Sequence, residues 1–473
     1  MVSIARSGSS AVRPKGRYHA THMARKRTSS VGKAARKAPT SKSKPSPKPP
    51  AKRAPAPARP APSGKSGRTS NVDKVSAAKV AKAPAARVAR PAPQADVATS
   101  PAIPQGSPDF AGRIGRLMAL ADEHNLDHVL ITNPMDVGYL TGFLGGDSYL
   151  FLGPCAGMKQ ITIITDGRYE EELAPQRALA DIVVRTKSIE ATAADLVLNR
   201  YIQRCGIQAD HLTLATHEAF AKVMGPDRAK KLIPMPALVS KLRQVKDAYE
   251  IELLQEATTI QEQALLATLP TIKAGQSELE IAAVLEMEMK KRGSSRCWFD
   301  SIVGARANGA LPHYRPGFET TAKGQPLLID WGSTFMGYCG DMTRTFSLGT
   351  WSPKMREIYG IVKDAQELSA AALAPGKRAH EIDKVARDHI EKAGYGKEFN
   401  HGLGHGLGMT KEPPYLNPLW PDMELEVGHV VTVEPGIYLP GIGGVRIEDL
   451  YVITEKGARN FCSLPKTLDW STL

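Results

Sequence analysis

The stretch Leu327–Phe346, LLIDWGSTFMGYCGDMTRTF, narrows the folds open to this chain more than any other. An apolar run ends in Asp330, a turn rich in Gly and Ser follows, and Asp341 opens the β-prone segment MTRTFSL. Two such runs joined by Gly and Ser predict a hairpin or a close strand pair. Folded back, the strands carry two carboxylates toward one point. Buried carboxylates in contact are costly unless a proton or a cation neutralises them. Read in isolation, the pair is no more than two solvated turn aspartates. Residues downstream change that reading.

The segment HGLGHGLG (401–408) spaces two histidines four apart among glycines, which let the backbone pass close to a site. Glu434 interrupts the apolar run VVTVEPG and Glu448 interrupts VRIEDL. A carboxylate inside an apolar strand takes a positive partner or a metal. For either glutamate alone, Arg344 or Arg446 could supply an ordinary ion pair. Together, Asp330, Asp341, His405, Glu434 and Glu448 offer four carboxylates and one imidazole. That set suits two divalent cations roughly 3.5–4 Å apart, held by bridging carboxylates. Oxygen-rich ligation favours manganese, iron or cobalt over a thiolate-type zinc site, with zinc still open. Two such cations lower the pKa of a bridging water, giving hydroxide at neutral pH, and polarise a carbonyl; this is the equipment for hydrolysing an amide.

The rest of the chain sets the frame. Its 473 residues allow about three domains. The first hundred carry 23 Lys and Arg against Asp73 and Asp96, while the whole chain is only +14, so the remainder is acidic overall. Tyr18 is the only aromatic residue of that hundred. A segment of Ala, Pro, Lys, Arg and Ser cannot bury enough apolar surface to offset its conformational entropy, which predicts a disordered basic tail over 1–106. Its charge favours non-specific contact with nucleic acid through counterion release; without interleaved aromatics, base stacking is not available. The plainer reading is a solvated extension, or an overextended start ahead of Met23.

Five scattered cysteines (Cys155, Cys205, Cys297, Cys339, Cys462) with no C-x-x-C suit a reducing compartment and argue against a disulfide framework. No apolar run reaches the ~18–20 residues of a membrane helix, and no apolar stretch backs the basic N-terminus as in a secretory signal. The expected setting is cytoplasmic, away from membranes.

Residues 109–240 alternate helical and strand patterns, as in an α/β layer. Asp109 caps a helix carrying Phe110, Ile114, Leu117, Met118 and Ala121 at helical spacing. DHVLITN, SYLFLG, QITIITDGRY, DIVVRT and HLTLAT read as strands. Residues 246–465 group helices with strands that do not strictly alternate, which predicts α+β with one curved sheet backed by helices. Ser277-x-x-Glu280 is a capping box and Ser352-Pro353 a helix start.

Taken in order, PHYRPG, DWGSTFMGYCGDMTRTF, HGLGHGLG, VEPGIY and GGVRIEDLYVIT resemble the catalytic blocks of the pita-bread metallopeptidases, the family of methionine aminopeptidase, aminopeptidase P and prolidase. NPMDVGYLTGF resembles the creatinase-type N-terminal domain of the Xaa-Pro branch, and RQVKDAYEIELLQEA its linker helix. The resemblance implies an α+β pita-bread catalytic domain (246–465) after an α/β creatinase-like domain (109–240) and the basic tail. It implies metal ligation by Asp330, Asp341, His405, Glu434 and Glu448, with Glu434 doubling as proton shuttle. His313 and His401 would line the substrate site, and Arg446 would orient Glu448. The implied activity is hydrolysis of Xaa-Pro bonds in peptides or dipeptides by a metal-bridging hydroxide. Two divalent ions are implied, manganese first, with cobalt, iron or zinc as alternatives, and a homodimer by analogy. The alternative is a non-peptidase on the same scaffold, a creatinase-like hydrolase or a binding protein. One departure stands out. The family's further histidine, seven residues after the ligand histidine, is missing, and Lys411 or Glu412 stands in its place in a stretch one residue shorter.

Overall fold

The computed structural model describes residues 101–154 and 160–473. What the sequence predicts for 1–100, and for Cys155, lies outside the described residues.

Hydrogen bonding at each start explains the first helices. Asp109 accepts from the Gly112 amide and opens α1 (Phe110–Glu123); Asn133 caps α2 (Pro134–Thr141), which has proline in its first turn. Between and after them run β1 (His128–Ile131), β2 (Tyr149–Leu152), β3 (Ile161–Thr165), β4 (Asp181–Val184), β5 (Cys205–Gln208) and β6 (Leu232–Met235). They form one mixed sheet in the order β4-β3-β2-β1-β5-β6. The interleaved helices are α3 (Ile189–Asn199), α4 (Leu214–Met224), α5 (Pro226–Ala229) and α6 (Ser240–Gln244). Both faces of β1 are covered. Val129 and Ile131 join the core that includes Leu117 and Leu140, while Leu130 packs in the cluster of Val197 and Phe220 on the other side.

HLTLAT, expected as a strand, is instead a turn leading into α4. Thr213 caps that helix by accepting from the Thr216 amide, and Leu214 is 84% exposed. The alternation of apolar and polar residues there reflects a solvated helix start, not a pleat.

The second region begins with α7 (Ala248–Thr268), whose capping box pairs Asp247 with Glu250, and α8 (Glu278–Lys291), boxed by Ser277 and Glu280. Later come α9 (Pro353–Ala372), capped by Ser352, and α10 (Ala379–Lys392). The strands are β7 (Arg296–Cys297), β8 (Ile302–Ala305), β9 (Pro326–Trp331), β10 (Ser333–Phe335), β11 (Tyr338–Cys339), β12 (Met342–Ser347), β13 (Gly404–Leu407), β14 (Lys411–Leu416), β15 (Val430–Val433), β16 (Gly436–Leu439), β17 (Gly443–Arg446), β18 (Asp449–Thr454) and β19 (Gly457–Asn460).

β9 and β12 pair antiparallel, with Thr343 opposite Asp330, so the close strand pair expected from the sequence forms. The residues between are more than a turn: β10 and β11 make a hairpin of their own beside β7. The single curved sheet is replaced by separate ladders, β12-β9-β8, β14-β13-β15-β18-β19 and β16-β17. Pairing breaks where polar residues interrupt the strands, at Glu434 after β15 and at Glu448 between β17 and β18. α7 and α8 cover the β9 ladder through Ala264, Leu265, Ile281 and Leu285 against Leu327 and Ile329. α9 and α10 cover the other side through Ile358, Val362 and Ile382 against Val431 and Val433. Each such fully buried Leu, Ile or Val contributes about 1.5–3 kcal/mol by leaving water. The chain beyond 465 also packs here: the Ser347 amide bonds the Ser471 carbonyl at 3.0 Å, and Trp351 donates to Thr472. Among the described residues, no helix is long and apolar enough to cross a membrane.

Candidate metal centre

Five strand ends aim their polar residues at one place. Asp330 comes from β9, Asp341 from the residue before β12, His405 from β13, Glu434 from the residue after β15, and Glu448 from the break between β17 and β18. Asp330, Asp341 and Glu448 each offer a carboxylate oxygen, all within 4.8 Å of one another. His405 Nε2 lies 3.6 Å from Asp341 Oδ2 and 3.6 Å from Glu434 Oε1.

The backbone permits this crowding. β13 approaches β14 so closely at Gly406 that an added Cβ would stand 2.4 Å from the carbonyl oxygens of Glu412 and Pro413. Nδ1 of His405 is 3.0 Å from the Gly406 carbonyl. A carbonyl only accepts, so the proton sits on Nδ1 and the Nε2 lone pair faces the carboxylates.

Neighbours orient the carboxylates. Arg446 donates from Nη2 to Asp330 Oδ2 at 2.5 Å, from Nη1 to the Tyr438 hydroxyl at 2.8 Å, and from Nε to Thr343 Oγ1 at 3.0 Å. Thr343 in turn donates a hydrogen bond from its hydroxyl to Glu448 Oε2 at 2.7 Å. Arg446, expected to orient Glu448, pairs with Asp330; its hydrogen bonds reach Glu448 through Thr343, and its charge acts on Glu448 as well. Arg344, the other arginine the sequence offered as partner, pairs with Asp449 at 2.7 Å and gives the side chains of Glu434 and Glu448 nothing.

One arginine cannot neutralise four carboxylates. Burial, then Asp330 and Glu434, push Asp341 well above the carboxylate range. Burial, then Asp341, Glu434 and Asp330, do the same to Glu448. Burial lifts Glu434 to about 7 against the pull of Arg446, and raises Asp330 as well. Burial, with Lys411 nearby, depresses His405 to about 3, so it is a neutral donor at pH 7. The Oδ1 atom of Asp330 is buried with no hydrogen-bond partner. Buried carboxylates in excess of cations, an orphaned oxygen and an imidazole lone pair aimed among them fit divalent cations by donor type.

Beside the cluster lies a cavity of about 370 Å³ lined by His313, Asp330, His401, His405, Lys411, Tyr415, Asn417, Trp420, Glu434 and Arg446, among others. His401 contacts the Gly402 carbonyl through Nδ1 at 2.8 Å and the Tyr438 hydroxyl through Nε2 at 2.9 Å. Burial, then Arg446, hold it to about 4, so it too is neutral at pH 7. Of the two candidates at the missing-histidine position, Lys411 lines the cavity, while Glu412 is buried and pairs with Lys246 at 2.6 Å and Arg243 at 3.2 Å.

Sequence reading did not single out Thr343 or Tyr438. A signal exists for each: Thr343 follows Asp341 by two residues, hence on the same face of a strand, and Tyr438 closes the block VEPGIY.

Comparison with known proteins gives two family models in succession, the Creatinase/Prolidase N-terminal domain over residues 113–245 and Metallopeptidase family M24 over 252–455. The Xaa-Pro dipeptidase of Pyrococcus furiosus is 33% identical over 359 residues, 75% of this chain and 99% of its own length. Among solved structures, an Xaa-Pro dipeptidase from Bacillus anthracis superposes with a TM-score of 0.72 at 36% identity, covering 76% of this chain and 99% of that one. An X-Pro aminopeptidase from Thermotoga maritima superposes with a TM-score of 0.68 at 32% identity, covering 74% and 99%.

Proposed function

Since this chain belongs to metallopeptidase family M24 and carries a creatinase/prolidase-type N-terminal domain, we propose that it hydrolyses Xaa-Pro bonds with two divalent cations held by Asp330, Asp341, His405, Glu434 and Glu448. The observation that carries this reading is the convergence of these side chains in one buried cluster with a single arginine. Bound there, the cations would supply hydroxide at neutral pH and polarise the scissile carbonyl.

The protein's own groups do the rest. Glu434, beside His405 and lining the cavity, is placed to take a proton from the attacking water and return it to the leaving nitrogen. Asp330 is held by Arg446 and Glu448 by Thr343, so neither swings away. His401 is neutral, with its proton on Nδ1 toward the Gly402 carbonyl and Nε2 accepting from Tyr438, so it shapes the cavity wall, while His313 beside it can donate to a substrate oxygen. Manganese is the cation proposed, on the strength of the oxygen-rich donor set. The proposed setting is cytoplasmic, which four free cysteines (Cys205, Cys297, Cys339, Cys462) support.

The test is turnover of Ala-Pro by the manganese-loaded protein. The expected result is hydrolysis by wild type and a loss of at least about 10³-fold in Glu434→Gln, which keeps shape but cannot shuttle the proton. No hydrolysis by wild type, or equal rates in both proteins, would sink the reading.

A further inference from the structure

We infer that Lys411 binds the free carboxylate of the substrate's proline and so selects dipeptides over longer or C-terminally blocked peptides. This rests on the Xaa-Pro reading of the site.

Lys411 stands at the first residue of β14, opposite Leu407 of β13; Tyr415 is opposite His405. The ladder slips between His405 and Gly406, and residues 411 and 415, on either side of that slip, both line the cavity with His405. Glu412 points to the other face, where Lys246 and Arg243 grip its two oxygens at 2.6 and 3.2 Å. Arg243 is in turn paired with Asp136 of α2. Gly408 leaves room for this grip, since a Cβ there would meet Glu412 Oε1 at 2.7 Å. With residue 412 locked on one side, residue 411 is aimed to the opposite side, into the cavity.

The two cations of the cavity differ in what they are free to do. Arg446 is committed to Asp330, Tyr438 and Thr343. Lys411 is exposed and has no ion-pair partner within 4.0 Å among the described residues. Its charge still reaches the cluster, favouring the ionised forms of Asp341 and Glu434. Once four carboxylates are balanced by two divalent cations, Lys411 remains as a surplus positive charge facing the substrate. In an Xaa-Pro dipeptide only the proline nitrogen and Cα separate the scissile carbonyl carbon from the carboxylate carbon. A group that reads the carboxylate must stand beside the reacting centre, as Lys411 does. An ammonium suits that task.

The experiment compares Ala-Pro with Ala-prolinamide on the manganese-loaded full chain, as wild type, Lys411→Met and Lys411→Arg, with L-proline as competing product. Lys411 is exposed, so replacing it leaves the packed core intact. The expected results are a wild-type preference for the free acid and a KM for Ala-Pro raised about 10–100-fold in Lys411→Met. L-Proline inhibition should weaken in parallel, Ala-prolinamide constants should change less than about threefold, and Lys411→Arg should largely recover the preference. Equal loss of kcat on both substrates in Lys411→Met would overturn the inference and place Lys411 at the scissile carbonyl. Equal use of acid and amide by wild type would overturn it too. A wild type that cleaves neither substrate would instead refute the Xaa-Pro reading, and this inference with it.

Discussion

At the scale of single residues, Thr343 carries more than its size suggests. Its hydroxyl accepts from Arg446 and donates to Glu448, so one oxygen links the arginine that holds Asp330 to a second carboxylate of the cluster. Thr343→Val removes both bonds with little change in volume and leaves Glu448 Oε2 without its donor. Loss of such a supporting contact costs about 10–100-fold in metal affinity or activity. We expect Thr343→Val to raise the manganese concentration needed for half-maximal turnover by that factor, and Thr343→Ser to restore it. Unchanged metal dependence in the valine variant would show that Glu448 does not need the hydroxyl.

At the scale of elements, the entry to β15 makes a pH-dependent contribution to stability. His429, just before that strand, is buried and accepts the Glu426 amide through Nδ1 at 3.0 Å. Burial, then the charge of Lys246, lower it from 6.5 to about 4. A histidine whose folded pKa is depressed contributes stability that is complete above the unfolded value and is lost as pH falls through the folded one. The window is therefore about pH 6.5 down to 4, and the full effect is at most about 3 kcal/mol. His429→Asn keeps an acceptor but does not titrate. Its melting temperature should fall less than wild type's between pH 7 and pH 4, with the other histidines cancelling in the comparison. Parallel curves would contradict the assignment.

Elements also differed in how far the sequence disclosed them. α7, α8 and α9 were legible because each pairs a helical apolar period with a local cap, at Asp247, Ser277 and Ser352. HLTLAT misled because a capped, exposed helix start can imitate strand alternation over six residues. Asp330, Asp341, His405, Glu434 and Glu448 could be singled out as polar residues in or beside apolar runs. Thr343 and Tyr438 could not, since Thr and Tyr are at home in strands. The grip on Glu412 was out of reach for a different reason. Its partners lie 166 and 169 positions away, and one sequence carries no record of such a meeting.

At the scale of the whole described chain, α7 ties the two regions together. Arg113 of α1 bonds Asp247 at 2.8 Å and lies 3.4 Å from Glu250, which also accepts from Tyr338 at 3.0 Å. One apolar cluster runs from Val129 and Leu140 through Leu254 and Ala257 to Leu407 and Val430, from the first sheet to the strands that hold the site. The Asp136–Arg243–Glu412–Lys246 network crosses the same boundary beside Lys411. The N-terminal region thus braces one wall of the cavity, while the candidate ligands Asp330, Asp341, His405, Glu434 and Glu448 all come from strand ends of the second region.

The two-cation centre is what the proposed activity rests on, and diffraction can count the ions directly. Crystals of the full chain grown with Mn(II), measured near the manganese absorption edge, should give two anomalous peaks roughly 3.5–4 Å apart. Both peaks should lie among Asp330, Asp341, His405, Glu434 and Glu448. No peak there, or a lone ion held by other residues, would contradict the account.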